Sequence, residues 1–331
     1  MSSRSLCTAA LVLALVASFR ADRASAYCRM TTQGDEQIGD TPCVEKGAPL
    51  VWTHPCLSYA IDYRGSQWMD YGDIETAVDA SFATWQNANC GGSTPNLIFQ
   101  ALEESTCQRA EFNSTGNVNT IAFLGSGDPG NDSFQDPCSD KPYSPFAFAV
   151  TIVWHNTSTG EILDADMMIN DQLATNRLAG GPYANCPPLG CPMGNPGDAD
   201  LASIVTHEAG HFIGIGHSEL DDATMFASAT RTSVEKRTLD QDDINAVCDI
   251  YPPGSLNDEC NAVPMGGLEL NCETDAAGNP IVCDDPSGAP GSSSGCSATR
   301  TPADAPWAAL LAALLGLTVL RRRSDRRGAQ S

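Results

Sequence analysis

His207-Glu208-Ala209-Gly210-His211-Phe212-Ile213-Gly214-Ile215-Gly216-His217-Ser218 is the stretch on which the reading of this chain turns. On an α-helix four residues advance about 400°, so His207 and His211 lie about 40° apart on one face. Two imidazoles one turn apart can grip a single metal ion. Gly214 lacks a Cβ, so the helix can stop there in a positive-φ conformation and the chain can turn away. The turned chain can bring His217 to the same ion. Three neutral imidazoles fill three positions of a tetrahedral zinc and leave the fourth for water. Glu208, beside the first ligand, can take that water's proton and pass it to a leaving amine. The chain has five histidines in all, and three fall in this segment. A structural zinc site usually has four protein ligands, and no fourth is evident at this spacing.

Working outward, Ala223-Thr224-Met225-Phe226 follows closely, and Leu239-Asp240-Gln241-Asp242-Asp243-Ile244-Asn245-Ala246-Val247-Cys248-Asp249-Ile250-Tyr251 begins with acids, where a helix dipole favours them. Together these stretches resemble the metzincin metallopeptidases, and Ser218 after the third histidine resembles the matrixin branch, the matrix-metalloproteinase relatives. The resemblance covers about residues 50–252. It implies an α+β fold: a zincin-like domain with a twisted mixed β-sheet, an active-site helix and a C-terminal helix. It implies one catalytic Zn2+ on His207, His211 and His217, Glu208 as the catalytic residue, and Met225 in a Met-turn beneath the metal. The implied substrate is a protein or peptide. By the same resemblance Phe146 to Trp154 borders the cleft, where an extended substrate adds to a strand edge; core sheet alone is the alternative for this segment.

The chain also departs from the family pattern. No Pro-Arg-Cys-Gly sequence occurs, and residues 27–48 are too short for a normal propeptide. The second, structural zinc of many animal relatives is expected to be absent, because only His155 is available for it. His54 has no assigned role. Family analogy makes Ca2+ a candidate ligand, with Asp128, Asn131 and Asp132, or Asp164, Asp166 and Asp171, as hard-oxygen donors.

Hydrophobic patterning supplies the remaining elements. Leu50-Val51-Trp52 and Leu57 to Tyr63 have strand character, as do Leu97-Ile98-Phe99 and Thr120 to Leu124. After Asp73, a candidate cap, Ile74, Ala77, Val78, Phe82 and Trp85 repeat at helical spacing. Phe146 to Trp154 and Ile162 to Ile169, joined by a turn at 157–160, predict a hairpin. A helix is expected from about Asp200 to Ile213 and another over Leu239 to Tyr251.

Composition and the two ends place the chain. Of 331 residues, 18 are Lys or Arg and 41 Asp or Glu, a net charge of −23. Such a chain is repelled by phosphate, so no nucleic-acid partner is expected. Residues 1–26 have the layout of a secretory signal, with Arg4, an apolar run from Leu6 to Ala17, and Ala24-Ser25-Ala26. A Cys-containing arm (27–48), the peptidase domain (49–252) and a Cys-rich extension (253–290) follow. Residues 291–331 form a linker and tail, with Gly295-Cys296, an apolar segment from Ala305 to Leu320 and an arginine cluster. That tail resembles the MYXO-CTERM sorting tails of myxobacterial surface proteins. It predicts a transmembrane helix as the only membrane contact, with the body secreted and either held at the cell surface or outer membrane or released. Twelve cysteines between 28 and 283 suit six disulfides in an oxidising compartment. Pro187, Pro188 and Gly190 suit a tight turn between Cys186 and Cys191, the best single pairing. A monomer is expected. The leading function is an extracellular zinc endopeptidase. The competing readings are a non-catalytic binding or adhesion module on the same scaffold, and a metal-dependent amidase.

Overall fold

The computed structural model describes residues 27–33, 43, 45–125, 134–135, 142–173, 181–191, 199–256 and 260–272, and the backbone of 291–294 and 297–298. The expected signal segment (1–26), the apolar segment 305–320, Cys138, Cys283 and the Asp128/Asn131/Asp132 loop lie outside the described residues.

A six-stranded mixed sheet organises the domain. It contains β1 (Cys56–Ile61), β2 (Ile98–Ala101), β3 (Thr120–Leu124), β4 (Ala149–His155), β5 (Ile162–Asn170) and β9 (Gly291–Ser294), in the spatial order β2-β1-β3-β5-β4-β9. β2, β1, β3 and β5 run parallel, while β4 is antiparallel to β5 and β9 antiparallel to β4. Successive side chains of a strand face opposite ways, and here both faces are covered. Ile121 and Phe123 of β3, Ala149 and Val153 of β4, and Ala165, Met167 and Ile169 of β5 enter the main core under the helices. Their neighbours Ala122, Leu124, Val150, Ile152 and Met168 pack with Phe134 and Ala147 on the other face. This explains why β3, β4 and β5 read as nearly continuous apolar runs rather than as alternating ones.

Three helices complete the framework: α1 (Tyr71–Gln86), α2 (Leu201–Phe212) and α3 (Gln241–Ile250). The Ile74, Ala77, Val78, Phe82 and Trp85 stripe of α1 is buried as its spacing predicts. The N-cap, however, is Asp70, and Asp73 lies in the first turn. α1 is tied to α2 by Trp85 Nε1 donating to the Thr206 carbonyl at 2.8 Å and Ser81 Oγ donating to that of Ala202 at 3.0 Å. The short pairs β6 (Tyr183–Ala184) with β7 (Ala199–Asp200) and β8 (Ser228–Ala229) with β10 (Ser297–Ala298) have no apolar pattern and are not legible from one.

Leu50-Val51-Trp52 is not a strand. Only Val51 makes a bridge, to Glu161, because the segment serves the end of α2 instead. Trp52 Nε1 donates to the Phe212 carbonyl at 2.9 Å, and the Tyr251 hydroxyl, at the end of α3, donates to that of Ile213 at 2.9 Å. These donors satisfy carbonyls that a helix C-terminus leaves without intrahelical partners.

Five disulfides join described residues: Cys28–Cys43, Cys56–Cys260, Cys90–Cys248, Cys107–Cys272 and the expected Cys186–Cys191. Two of them pin residues 260–272 to β1 and to the segment before β3. The expected transmembrane helix, and with it membrane attachment through the C-terminal tail, is corrected here. Among the described residues no helix is long and apolar enough to cross a membrane. The physical reason is length: a sixteen-residue helix rises about 24 Å, short of a hydrocarbon core of roughly 30 Å.

Candidate metal centre

α2 starts at a well-made cap. Asp200 accepts from Ser203 N at 2.9 Å and from its Oγ at 2.8 Å, and it is paired with Arg237. From this fixed start, His207 and His211 fall on one face. The helix ends at Phe212, and Gly214 adopts φ +84°, where a Cβ would sit 2.6 Å from the Leu50 carbonyl. The reversal is held by Ile215 N donating to the Gly210 carbonyl at 3.0 Å, and it brings His217 back to the helical pair. The ligating atoms of His207, His211 and His217 all lie within 4.8 Å of one another, and all three residues are buried.

The hydrogen bonds set the tautomers. His207 Nδ1 lies 2.6 Å from the Thr224 carbonyl and His211 Nδ1 lies 2.8 Å from that of Ile215. A carbonyl only accepts, so each Nδ1 carries the hydrogen and each Nε2 presents a lone pair. These two Nε2 atoms are 3.2 Å apart. Two lone pairs facing one another at that distance call for a cation between them. Burial, first of all, pushes both imidazoles well below their ordinary pKa, and nearby Lys236 and the companion histidines add to the shift. Neutral imidazole is the form that binds metal, so the residues present fit zinc.

Glu208 is buried on the next position of the helix, and Thr151 of β4 donates to its Oε2 at 2.7 Å. Positions 149, 151 and 153 of β4 share the face toward α2, which is how a strand residue reaches the helix. Thr151 is a site residue that the chain's local patterns do not reveal, since it is 57 positions from its partner. Below the histidines, a Cβ on Gly210 would collide with Met225 Sδ and lie 2.8 Å from Trp85 Cζ2, so only glycine lets Met225 pack there. Met225 thus packs against the helix turn between His207 and His211.

α3 holds this loop from the other side. Asp243 accepts from Thr224 N at 2.7 Å, from Met225 N at 3.0 Å, and from Asp240 N at 2.8 Å in a capping box. Asp242 accepts from Ser218 Oγ at 2.6 Å. The N-terminal arm backs the turn, with Gly216 N donating to the Cys28 carbonyl at 2.7 Å and Met30 N to that of Gly214 at 3.0 Å. Beside α2 opens a cavity of about 340 Å3, lined among others by Phe148, Ser203, Ile204, Thr230, Arg231 and Lys236. It is built partly from the chain after Met225.

A matrixin family model matches residues 51–252, more than half of the chain. The chain belongs to the matrixin family. Three histidines around one position, with a buried glutamate beside them, give this matrixin the donor set for a single zinc ion. The chain is 43% identical over 54 residues to Metalloendoproteinase 1-MMP of Arabidopsis thaliana, which is 16% of this chain and 15% of that protein. It is 40% identical over 52 residues to Metalloendoproteinase 5-MMP of the same plant, 16% and 14% of the two chains. It is 42% identical over 57 residues to Karilysin of Tannerella forsythia, 17% and 11% of the two. Each match therefore spans under a sixth of the curated relative.

The remaining expected residues are not gathered at this centre. His155 ends β4 with its Nδ1 3.2 Å from the Val153 carbonyl, and His54 Nδ1 is 2.9 Å from that of Cys56. Of the expected calcium donors, Asp171 accepts from Ser66 Oγ at 2.7 Å and Gln67 N at 3.1 Å, apart from Asp164 and Asp166. Asp164 accepts from Asn117 Nδ2 at 2.8 Å, and Asp166 accepts from Thr120 N and Glu111 N at 2.9 Å each. Among the described residues the only other cluster with metal-ligand chemistry is Cys28, Cys43 and Glu45, and its two sulfurs are already joined.

Proposed function

We propose that this matrixin is an extracellular zinc endopeptidase, with His207, His211 and His217 as the metal ligands and Glu208 as the group that moves the proton. The observation that carries the reading is the convergence of three buried imidazoles within 4.8 Å beside a buried carboxylate. Zinc, when bound, supplies Lewis acidity, which makes water nucleophilic at neutral pH and polarises a carbonyl. Glu208 Oε2, oriented by the Thr151 hydroxyl, accepts a proton from the attacking water and returns it to the amine leaving the scissile bond. β4 and β8 supply backbone groups that orient an extended peptide. The cavity beside Ser203 and Ile204 receives one of the peptide's side chains. Disulfide density supports an oxidising destination, as does the resemblance of residues 1–26 to a secretory signal. The likeness of residues 291–331 to the MYXO-CTERM tails supports export of the body by a sorted route.

The test is cleavage of casein or gelatin by the full chain. A chelator abolishes it, stoichiometric zinc restores it, and Glu208→Ala lowers kcat by about 10²–10⁴ with zinc still bound. A wild-type rate in Glu208→Ala overturns the reading. Tight peptide binding without turnover by the wild-type protein favours the binding-module alternative instead.

A further inference from the structure

Without β9, β4 would be the outer edge of the sheet. An open edge strand displays unpaired N–H and C=O groups and accepts another strand. In this protein the chain's own residues 291–294 take that place, antiparallel, with Ser294 opposite Thr151 and Gly291 opposite Trp154. A short step along the sequence, Ser297 and Ala298 pair in parallel with Ser228 and Ala229 of β8. The two host strands both belong to the catalytic centre. Thr151 of β4 donates to Glu208, and β8 leaves the loop whose Thr224 carbonyl holds His207. Residues 291–294 therefore pair with the strand that orients Glu208, and residues 297–298 pair with the strand leading away from the His207 loop.

Resting on the peptidase reading, we propose that residues 291–294 and 297–298 are an occupant of the cleft in cis: two short strands that lie along the path of a peptide substrate and compete with it. The composition suits a weak, displaceable occupant. Gly291-Ser292-Ser293-Ser294 has little side-chain mass, so the backbone ladder is its main source of affinity, and ordering glycine costs the most entropy. Covalent attachment offsets that cost. The chain is anchored at Cys107–Cys272, nineteen residues before Gly291, so docking of 291–294 is intramolecular and needs no second molecule. The expected signature is a raised KM for added peptide, with kcat unchanged once the strand is displaced.

The experiment compares the full chain with Ser293→Pro/Ser294→Pro. Residues of an antiparallel strand alternate in pairing, so two consecutive prolines remove a ladder donor whichever phase applies. Ser293→Ala/Ser294→Ala, which keeps both N–H groups, is the control. Hydrogen exchange of residues 149–155 is followed by mass spectrometry in a zinc-loaded Glu208→Gln background, so that proteolysis does not remove the segment. Alternate β4 amides are expected to exchange about tenfold faster in the proline variant and at the parental rate in the alanine control. With Glu208 intact, the proline variant is expected to show a KM about tenfold lower for a quenched peptide. Unchanged exchange and KM in the proline variant overturn the proposal. Protection that grows with protein concentration also overturns it, because a second copy then fills the edge. A difference in exchange with no cleavage by either chain leaves the docked strand standing and removes the peptidase reading.

Discussion

Thr151 presents two different groups to the centre of the molecule. Its backbone belongs to β4, and its hydroxyl donates to Glu208 Oε2 in a contact fully shielded from solvent. In the proposed reaction the Glu208 carboxylate receives a proton in one direction and returns it in another, so it depends on where its two oxygens point, and this hydroxyl orients one of them. Thr151→Val keeps the shape and removes the donor. A buried hydrogen bond to a charged group is worth about 1.5–3 kcal/mol, so kcat is expected to fall by roughly tenfold to a hundredfold. Zinc stoichiometry should not change, and Thr151→Ser should retain most of the activity. Steady-state kinetics with metal analysis checks this. A fall in kcat that Ser does not rescue points to lost packing of the γ-methyl instead. Nothing near Thr151 in the chain announces its role. His207, Glu208, His211 and His217 are legible because one helical turn and one glycine bend govern their placement. Thr151 meets Glu208 only once a strand has been laid against a helix.

Among the elements, α3 acts on the metal centre without touching it. Its acids were visible as a favourable start to a helix, and the capping box between Asp240 and Asp243 bears that out. Their second task is a matter of tertiary structure: Asp243 also holds the N–H groups of Thr224 and Met225, and the Thr224 carbonyl in turn orients His207. Asp243→Ala strands three buried or half-buried donors, and at about 1 kcal/mol or more each the protein should lose roughly 3 kcal/mol of stability. Zinc affinity should fall by about 10–100-fold, since a partner that orients a ligand is lost. Competition against a fluorescent chelator measures the second effect and urea unfolding the first; a weakened fold with unaltered zinc affinity would refute the positioning role. Helices and long strands were legible from apolar periodicity, because their own burial dictates it. Leu50-Val51-Trp52 misleads for the opposite reason: Leu50 and Trp52 are buried and Val51 is half-buried, but Trp52 spends its donors on a helix end and a tyrosine. β8, β9 and β10 are short and polar, and their pairing is decided by the neighbours they lie beside rather than by any face of their own.

At the scale of the whole molecule, an acidic chain has to place carboxylates even in its interior. Asp164 and Asp166 stand two residues apart on β5 and are both buried on the sheet face away from α2. Burial pushes the Asp164 carboxyl up to about 7, and burial together with the neighbouring Asp164 charge pushes Asp166 well above the usual carboxylate range. The pair therefore holds a proton at pH values where an unfolded chain, with aspartate near 3.9, has released it. The sign follows from that difference. The folded state binds more protons than the unfolded state between about pH 4 and 7, so this pair's contribution is complete below about pH 4 and drains away as pH rises toward 7, by at most about 1.4 kcal/mol per pH unit for one proton. The net charge of −23 acts in the same direction, through self-repulsion that grows as the remaining carboxyls ionise and that salt screens. Asp164→Asn separates the two effects. Its amide oxygen still accepts from Asn117 Nδ2, and its NH2 can donate to Asp166 as a protonated carboxyl would. Both proteins are to be unfolded in urea between pH 5 and 8, in low and high salt and with zinc held in excess. The variant should match the wild type near pH 5 within about 1–2 kcal/mol and gain on it steadily toward pH 8. Salt should raise both curves without closing that gap, because a buried pair is screened far less than surface charge. A gap that salt abolishes, or that does not widen with pH, would place the pH dependence on the surface and take the proton out of the Asp164–Asp166 pair.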